Sequence, residues 1–434
     1  MSTEALPSSS AADTAGDRDL RRWWNLAAFA LLIRFLIMPY GGFPVDIGTF
    51  KAWSQGLTDQ GPTAFYGAGF ADYLPGYLYI LWLIGEVNAV VRFSDQAHLF
   101  ALKLPAALAD IITAWLIFAL ARRLKSRWAL ALSASYLFNP GIIFNSAYWG
   151  QADSVGAVFS VAGIAALGVA SPIWSAVLLT VGAVIKPQTV PAMIPAGLYL
   201  LRTLTRPPEG PPRWDLLLGA AVAAVATLVL IILPFDLSPL RLIGVLRTSL
   251  SVYPFSSVVA FNFWGAMQRF WVGDELRWLG VPHYTIGLAA TLAALAAVAI
   301  WAWRHPTRRG VVLAAAVALL SLFILPTRIH ERYLLPAIPF FAAAAAVERR
   351  MVGVYAGLSA VFLLNLLYAY TRPYAQTFLL PGWLDSTVFA DATTRVWSGL
   401  GVLMLVVAFY VLLTWRGGAA PQPAPGSITR SLRK

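Results

Sequence analysis

Residues 214–235 read WDLLLGAAVAAVATLVLIILPF, an unbroken apolar run whose one charge, Asp215, stands near its start. About 20 apolar residues cross the hydrocarbon core of a bilayer, so by length and composition this stretch is a membrane-spanning helix. The rest of the chain is built alike. Of 434 residues 59% are hydrophobic and only 12% charged, against about 25% charged in a soluble domain. That excludes a soluble globular protein and predicts an all-α polytopic membrane protein. Apolar spans fall at 23–39, 76–92, 99–121, 128–139, 153–170, 172–185, 188–203, 214–235, 283–303, 310–325, 333–347, 351–370 and 396–415, which suggests about 12–14 crossings. No internal repeat and no inverted-repeat signature of a transporter is visible.

The formal charge of +12 would point to nucleic acid in a soluble protein, but here it is first a topology signal. Basic residues gather at 18–22, 122–127, 202–213, 304–309, 349–350 and 416–434. These segments, with the acids beside them, account for the whole net charge. By the positive-inside rule they are cytoplasmic, so the excess is topogenic and no nucleic-acid partner is needed. Residues 1–20 and 416–434, polar or Pro/Gly-rich, read as disordered cytoplasmic tails around one transmembrane domain, 21–415, in the plasma (inner) membrane. The first loop (40–75), the long segment 236–282, the segment 371–395 and the turns 139–153, 186–188 and 326–332 then face the extracytoplasmic side. One parity conflict remains. Residue 75 is outside and residue 122 inside, yet two apolar runs separate them, so either 76–92 or 99–121 is expected to be broken, in-plane or re-entrant.

The chain has no cysteine, which removes disulfides, thiolate metal sites and a Cys nucleophile together. The four histidines, His98, His283, His305 and His330, are too dispersed for a His-rich metal site. No Gly-rich nucleotide loop is present, so neither metal nor cofactor is expected.

Chemistry concentrates at the outer segments. The loop 40–75 interleaves aromatics with Gly, Pro and three acids, Asp46, Asp59 and Asp72, as suits an amphipathic stretch at the membrane interface. Asp46 follows the first span closely. It is either the N-cap of a following helix or a partly desolvated general base. NPGIIFNSAYWGQAD, residues 139–153, crowds polar groups against an apolar span, where they are costly unless satisfied. Trp149 with Gln151 and Asp153 has the composition of a sugar platform; the alternative is an interfacial aromatic belt plus an N-cap Asp, which for Trp149 alone is the better reading. Lys186, in IKPQT, is a snorkelling lysine or an anion ligand. TRIHERYLLP, 327–336, sets Arg328 and Arg332 around His330 and Glu331, either as an ion-paired cap or as a phosphate clamp. The topology puts all of these on one face.

Taken in order, these motifs resemble the glycosyltransferase C superfamily, in particular the dolichyl-phosphate-glucose glucosyltransferases of asparagine-linked glycosylation, and also bacterial mannosyltransferase-type relatives. The resemblance rests on Asp46 as an early-loop Asp and on Asp72-Tyr73-Leu74-Pro75-Gly76. It continues through Trp149-Gly150-Gln151-Ala152-Asp153-Ser154, Lys186-Pro187-Gln188, the patch from Ser257 to Trp264 with Asn262, and His330-Glu331-Arg332. Leu74, Gly76 and Arg332 depart from the family pattern. The resemblance implies an inverting transfer of one hexose, glucose or mannose, from a polyprenyl-phosphate-hexose donor to a hydroxyl of a lipid-linked or other glycan acceptor, by a monomer without a metal. It makes Asp46 the base, with Asp72 its alternate in the same loop. Tyr73, Trp149, Gln151, Asp153, Lys186, Gln188, Asn262, Trp264, Arg328, His330, Glu331 and Arg332 are then expected to bind substrate. The competing reading is a transporter or flippase for a lipid-linked or anionic solute, for which Asp110 and Glu86 inside apolar stretches speak.

Overall fold

The computed structural model describes residues 9–69, 71–167, 171–372 and 381–417. The described chain is almost wholly helical; its one sheet is a two-stranded antiparallel hairpin, Arg277–Trp278 with Val281–Pro282. This is an all-α membrane protein. Among the described residues, five helices are long and apolar enough to span a bilayer: Asp95–Arg123, Trp214–Phe235, His283–Arg304, Met351–Thr371 and Asp391–Leu413.

Several of the other apolar runs are interrupted, and proline accounts for the breaks. The run 128–139 is the short helix Ala129–Leu137, after which Asn139 caps a new turn at Pro140 and a π-helical turn, Phe144–Trp149, completes the segment. The run 188–203 begins as a 3₁₀ turn, Pro187–Ala192, before the helix Met193–Thr205, and 333–347 begins as Glu331–Leu334 before Ala337–Val347. A proline supplies no N–H and clashes with the preceding turn, so the chain tightens or restarts there.

The centre of the bundle is the helix Arg308–Ile324, buried on every side from Gly310 to Ser321. It packs against Ala337–Val347, whose alanines let the two backbones approach closely. Trp214–Phe235 lies at the periphery, with Leu218, Val222, Val225 and Leu230 exposed, as a lipid-facing helix requires.

The basic segments meet at one end of the bundle. Arg309 Nη2 donates to Leu124 O (3.3 Å), Arg202 lies over the Trp303 ring (5.4 Å) and Arg350 Nη1 donates to Thr414 Oγ1 (2.8 Å). From there Asp95–Arg123, 29 residues and so about 43 Å long at 1.5 Å per residue, runs to the other end, where Asp95 pairs with Lys51 (3.0 Å).

That pair locates the helix Pro75–Val91. Lys51 belongs to the helix Pro44–Gln60, against which Pro75–Val91 packs. One end of Pro75–Val91 touches Ile185 through Gly76, and the other joins Asp95 after Arg92, which adopts a left-handed φ of 55°. Both ends therefore lie away from the basic end, and of the two runs 76–92 and 99–121 it is the first that does not traverse the bundle. The segment 40–75 is likewise helical, as Pro44–Gln60 and Pro62–Ala68.

One expectation is corrected at the N-terminus. The first helix is Ser9–Ile37, so residues 9–20 are helical and run on into residues 21–37 instead of forming a disordered tail. Residues 1–8 and 418–434 of the two expected tails, and 373–380 of the segment 371–395, lie outside the described residues.

Candidate functional site

Residues 38–43 link the first helix to Pro44–Gln60. Gly41 and Gly42 have φ of 66° and 93°, a region that favours glycine. The segment is held from several sides: Gly42 N donates to Tyr148 O (2.8 Å), Phe43 N to Trp149 O (3.1 Å), Lys103 Nζ to Tyr40 O (2.6 Å) and Tyr370 Oη to Gly42 O (3.2 Å). The next helix therefore starts beside the 148–151 turn. Its N-cap is Phe43, with no side-chain cap, and Asp46 stands in its first turn.

Asp46 is thus not a cap. Its Oδ2 accepts hydrogen bonds from Trp149 Nε1 (2.7 Å) and Gln151 Nε2 (2.5 Å), residues 103 and 105 positions away. No described residue hydrogen-bonds to Oδ1. The same geometry corrects the sugar-platform expectation. Trp149 is 1% exposed, enclosed by Phe43, Phe144 and Tyr370, so it offers no open face, and with Gln151 it orients a carboxylate.

Asp46 lines a cavity of about 380 Å³. Asp72, Tyr73, Lys186, Gln188, Arg328, His330 and Arg332, called from separate parts of the sequence, line the same cavity. Lys186 follows the end of the helix Pro172–Ile185. Its Nζ donates to Tyr73 Oη (2.7 Å), lies 4.2 Å from the centre of that ring and stands 3.5 Å from Asp153 Oδ1. Arg332 Nη1 pairs with Glu331 Oε1 at 2.9 Å. Several buried polar atoms at or just behind the wall have no hydrogen-bond partner: Gln151 Oε1, both Asp153 oxygens, Gln188 Oε1, His330 Nδ1, Glu331 Oε2 and Arg332 Nε. Such atoms also lie elsewhere in the bundle, at Arg34, Asp110 and Asn145 among others. Burial raises the Asp72 carboxyl above its ordinary value, against the pull of Lys186 and Arg332. Burial, and then the charges of Arg332 and Lys186, hold His330 well below the ordinary histidine value, so its imidazole is neutral at pH 7.

Three expected binding residues do different work. Asn262 caps the short helix Phe263–Met267 through Gly265 N (3.1 Å), and Trp264 Nε1 donates to Leu325 O (2.9 Å). Neither lines the cavity; they brace the turn that carries 326–333. Arg328 does line it, but its guanidinium is engaged in a forked pair with Asp274, Nε–Oδ2 2.7 Å and Nη2–Oδ1 3.2 Å, and donates to Leu250 O (3.0 Å). It ties the 250–274 segment over the site.

Sequence reasoning missed Asp274, Lys103, Tyr253 and Asn365. Tyr253 lines the cavity with its ring edge-on to His330 (4.7 Å between centroids). Asn365 accepts from Phe261 N (2.8 Å) and donates to Val259 O (2.6 Å), which satisfies an irregular backbone segment enclosed by helices. A polar residue inside an apolar run, as Asn365 and Lys103 are, was the available signal. Among the described residues no three His, Cys, Asp or Glu side chains converge as metal ligands.

A scan against protein-family models finds no match to this chain, and a search of curated proteins finds none either.

Proposed function

We propose that the protein is a membrane-embedded hexosyltransferase of glycosyltransferase C type, which moves one glucose or mannose from a polyprenyl-phosphate sugar to an acceptor hydroxyl at the extracytoplasmic face. The observation that carries this reading is the shared cavity: a carboxylate oriented through one oxygen and open at the other, beside Lys186, Arg332 and a neutral His330. Asp46 Oδ1 takes the acceptor proton while the acceptor oxygen attacks the anomeric carbon from the face opposite the phosphate. The carbon–oxygen bond to phosphate breaks with inversion, and the bond electrons leave on the polyprenyl phosphate. That leaving group is anionic already, so it needs charge stabilisation more than an acid. Lys186 and Arg332 supply it, with a hydrogen bond from the His330 imidazole.

With Pro75–Val91 not traversing, and broken helices counted as crossings, twelve spans remain of those expected from sequence. This even number returns both termini to the cytoplasm, as the positive-inside rule requires. The transport alternative loses support from its two residues. Asp110 is fully buried and paired with Arg34 at 3.1 Å, while Glu86 is exposed and accepts from Trp82 Nε1 at 2.9 Å; neither lines an open path.

The test is incubation of purified protein with radiolabelled polyprenyl-phosphate glucose or mannose and a lipid-linked glycan acceptor. Label should move to the acceptor from one of the donors. Binding of both donors with transfer from neither would overturn the reading.

A further inference from the structure

Each cation on the cavity wall already has a carboxylate: Lys186 has Asp153 (3.5 Å), Arg332 has Glu331 (2.9 Å) and Arg328 has Asp274 (2.7 Å). Asp46 and Asp72 line the same cavity in addition. With His330 neutral, five carboxyls face three cations, and a phosphate entering this partly desolvated space meets net negative charge unless one carboxyl is neutral.

Burial pushes two of the five up, Glu331 and Asp72, and of these only Glu331 has a cation against it. Asp46 accepts from two groups that can only donate to it, and Asp153, Glu331 and Asp274 each adjoin a cation. Asp72 adjoins no cation and accepts no hydrogen bond from another side chain among the described residues. The charged and titratable groups that act on it are Lys186 and Arg332, Asp46 from the helix Pro44–Gln60, Tyr66 from the helix Pro62–Ala68, its neighbour Tyr73, and Tyr253 from the segment after Pro239–Ser251. The two cations act on it only from a distance, and its burial favours the neutral form.

We infer that Asp72 carries a proton when the cavity takes its phosphodiester ligand and donates that proton in a hydrogen bond to it, so that Asp72 is a binding residue and not a second base. This rests on the polyprenyl-phosphate-sugar reading. The proton comes from solvent, and ligand affinity therefore falls as pH rises through the titration of Asp72.

The probe is a short-chain polyprenyl-phosphate glucose, a phosphodiester whose own charge is constant near neutrality. Its Kd is measured for the full-length protein in detergent from about pH 4 to pH 9, upward from the ordinary carboxylate value and across the ordinary histidine value. Wild-type Kd should weaken with rising pH toward a limiting slope of about tenfold per unit, as one linked proton requires. Asp72→Asn keeps a hydrogen-bond donor without the titration, so its Kd should be flat with pH and tighter than wild type at the alkaline end. A flat wild-type Kd, an equal slope in Asp72→Asn, or loss of binding by Asp72→Asn with a normal melting profile would overturn the inference while leaving the donor reading intact. No binding of this probe or of its mannose counterpart by folded wild type at any pH would instead remove the donor reading, and this inference with it.

Discussion

Trp149→Phe isolates the contact that orients Asp46. Phenylalanine keeps an aromatic ring against Phe43 and Tyr370, whose centroids each lie 5.2 Å from that of Trp149, but deletes the Nε1–H that reaches Asp46 Oδ2 at 2.7 Å. A hydrogen bond to a charged group contributes about 1.5–3 kcal/mol, or roughly 10- to 150-fold at 1.36 kcal/mol per decade of rate. Gln151 still donates to the same oxygen, so the carboxylate stays near its place and the loss belongs in the lower half of that range. It should fall on kcat, because in the proposed reading donor affinity comes from Lys186, His330, Arg332 and Asp72. The lost indole volume costs stability as well, about 1–2 kcal/mol for a partial core truncation, so each variant is paired with a melting profile. The assay is donor saturation for wild type, Trp149→Phe, Gln151→Leu and the double variant. Both single variants should lose kcat at constant donor Kd, and the double variant should depart from additivity because its two donors share one acceptor. A folded Trp149→Phe protein with kcat within about twofold of wild type, under 0.5 kcal/mol at 1.36 kcal/mol per decade, would refute the orienting role.

Arg328→Ala strands the carboxylate of Asp274, which is 2% exposed; it should cost about 2–3 kcal/mol, less than the roughly 3–5 of a fully buried pair because the arginine is partly exposed. The thermal midpoint in detergent reads this, and Asp274→Asn added to Arg328→Ala should recover part of it. His330 is held neutral in the folded protein, whereas unfolded it takes a proton near pH 6.5. The unfolded state therefore binds more protons as pH falls, so the stability due to this group is complete above that pH and is lost below it. The slope approaches 1.4 kcal/mol per unit; His330→Gln should flatten this acid limb of the thermal midpoint, and an unchanged limb would refute the assignment. In this cysteine-free chain, Gln60→Cys and Glu209→Cys are exposed reporters at opposite ends of the bundle. An impermeant maleimide on intact cells should label the first alone, and labelling of the second alone would invert the orientation.

The membrane class was legible because hydropathy is local: twenty consecutive residues report on their own solvent. The orientation of Pro75–Val91 was not, since an in-plane helix at the rim can be as apolar as a crossing one. What fixes it, the Lys51–Asp95 pair, joins residues 44 positions apart. The helix breaks at 139–140 and 186–187 were legible, because Asn-Pro and Lys-Pro stand at the ends of the apolar runs 128–139 and 172–185. At the site, sequence identified the cluster better than the roles. Trp149 and Gln151 were read as ligands for substrate, and they are ligands for Asp46. Asn262 and Trp264 carry the same polar groups a binding site uses, but their N–H groups donate to the carbonyls of 326 and 325, and Asn262 Oδ1 accepts from Gly265 N. Residue type tells which bonds are possible, whereas only the fold decides which partner stands at the right distance.

The most direct test of the account compares donor binding with hexose transfer in Asp46→Asn. Asparagine preserves size and can still accept from Trp149 and Gln151, but it cannot take a proton from an acceptor hydroxyl. Transfer from labelled polyprenyl-phosphate sugar should fall by about 10²–10⁴, the usual loss for a general base, while the melting profile and donor Kd stay close to wild type. Near wild-type transfer by folded Asp46→Asn would contradict the account at its centre.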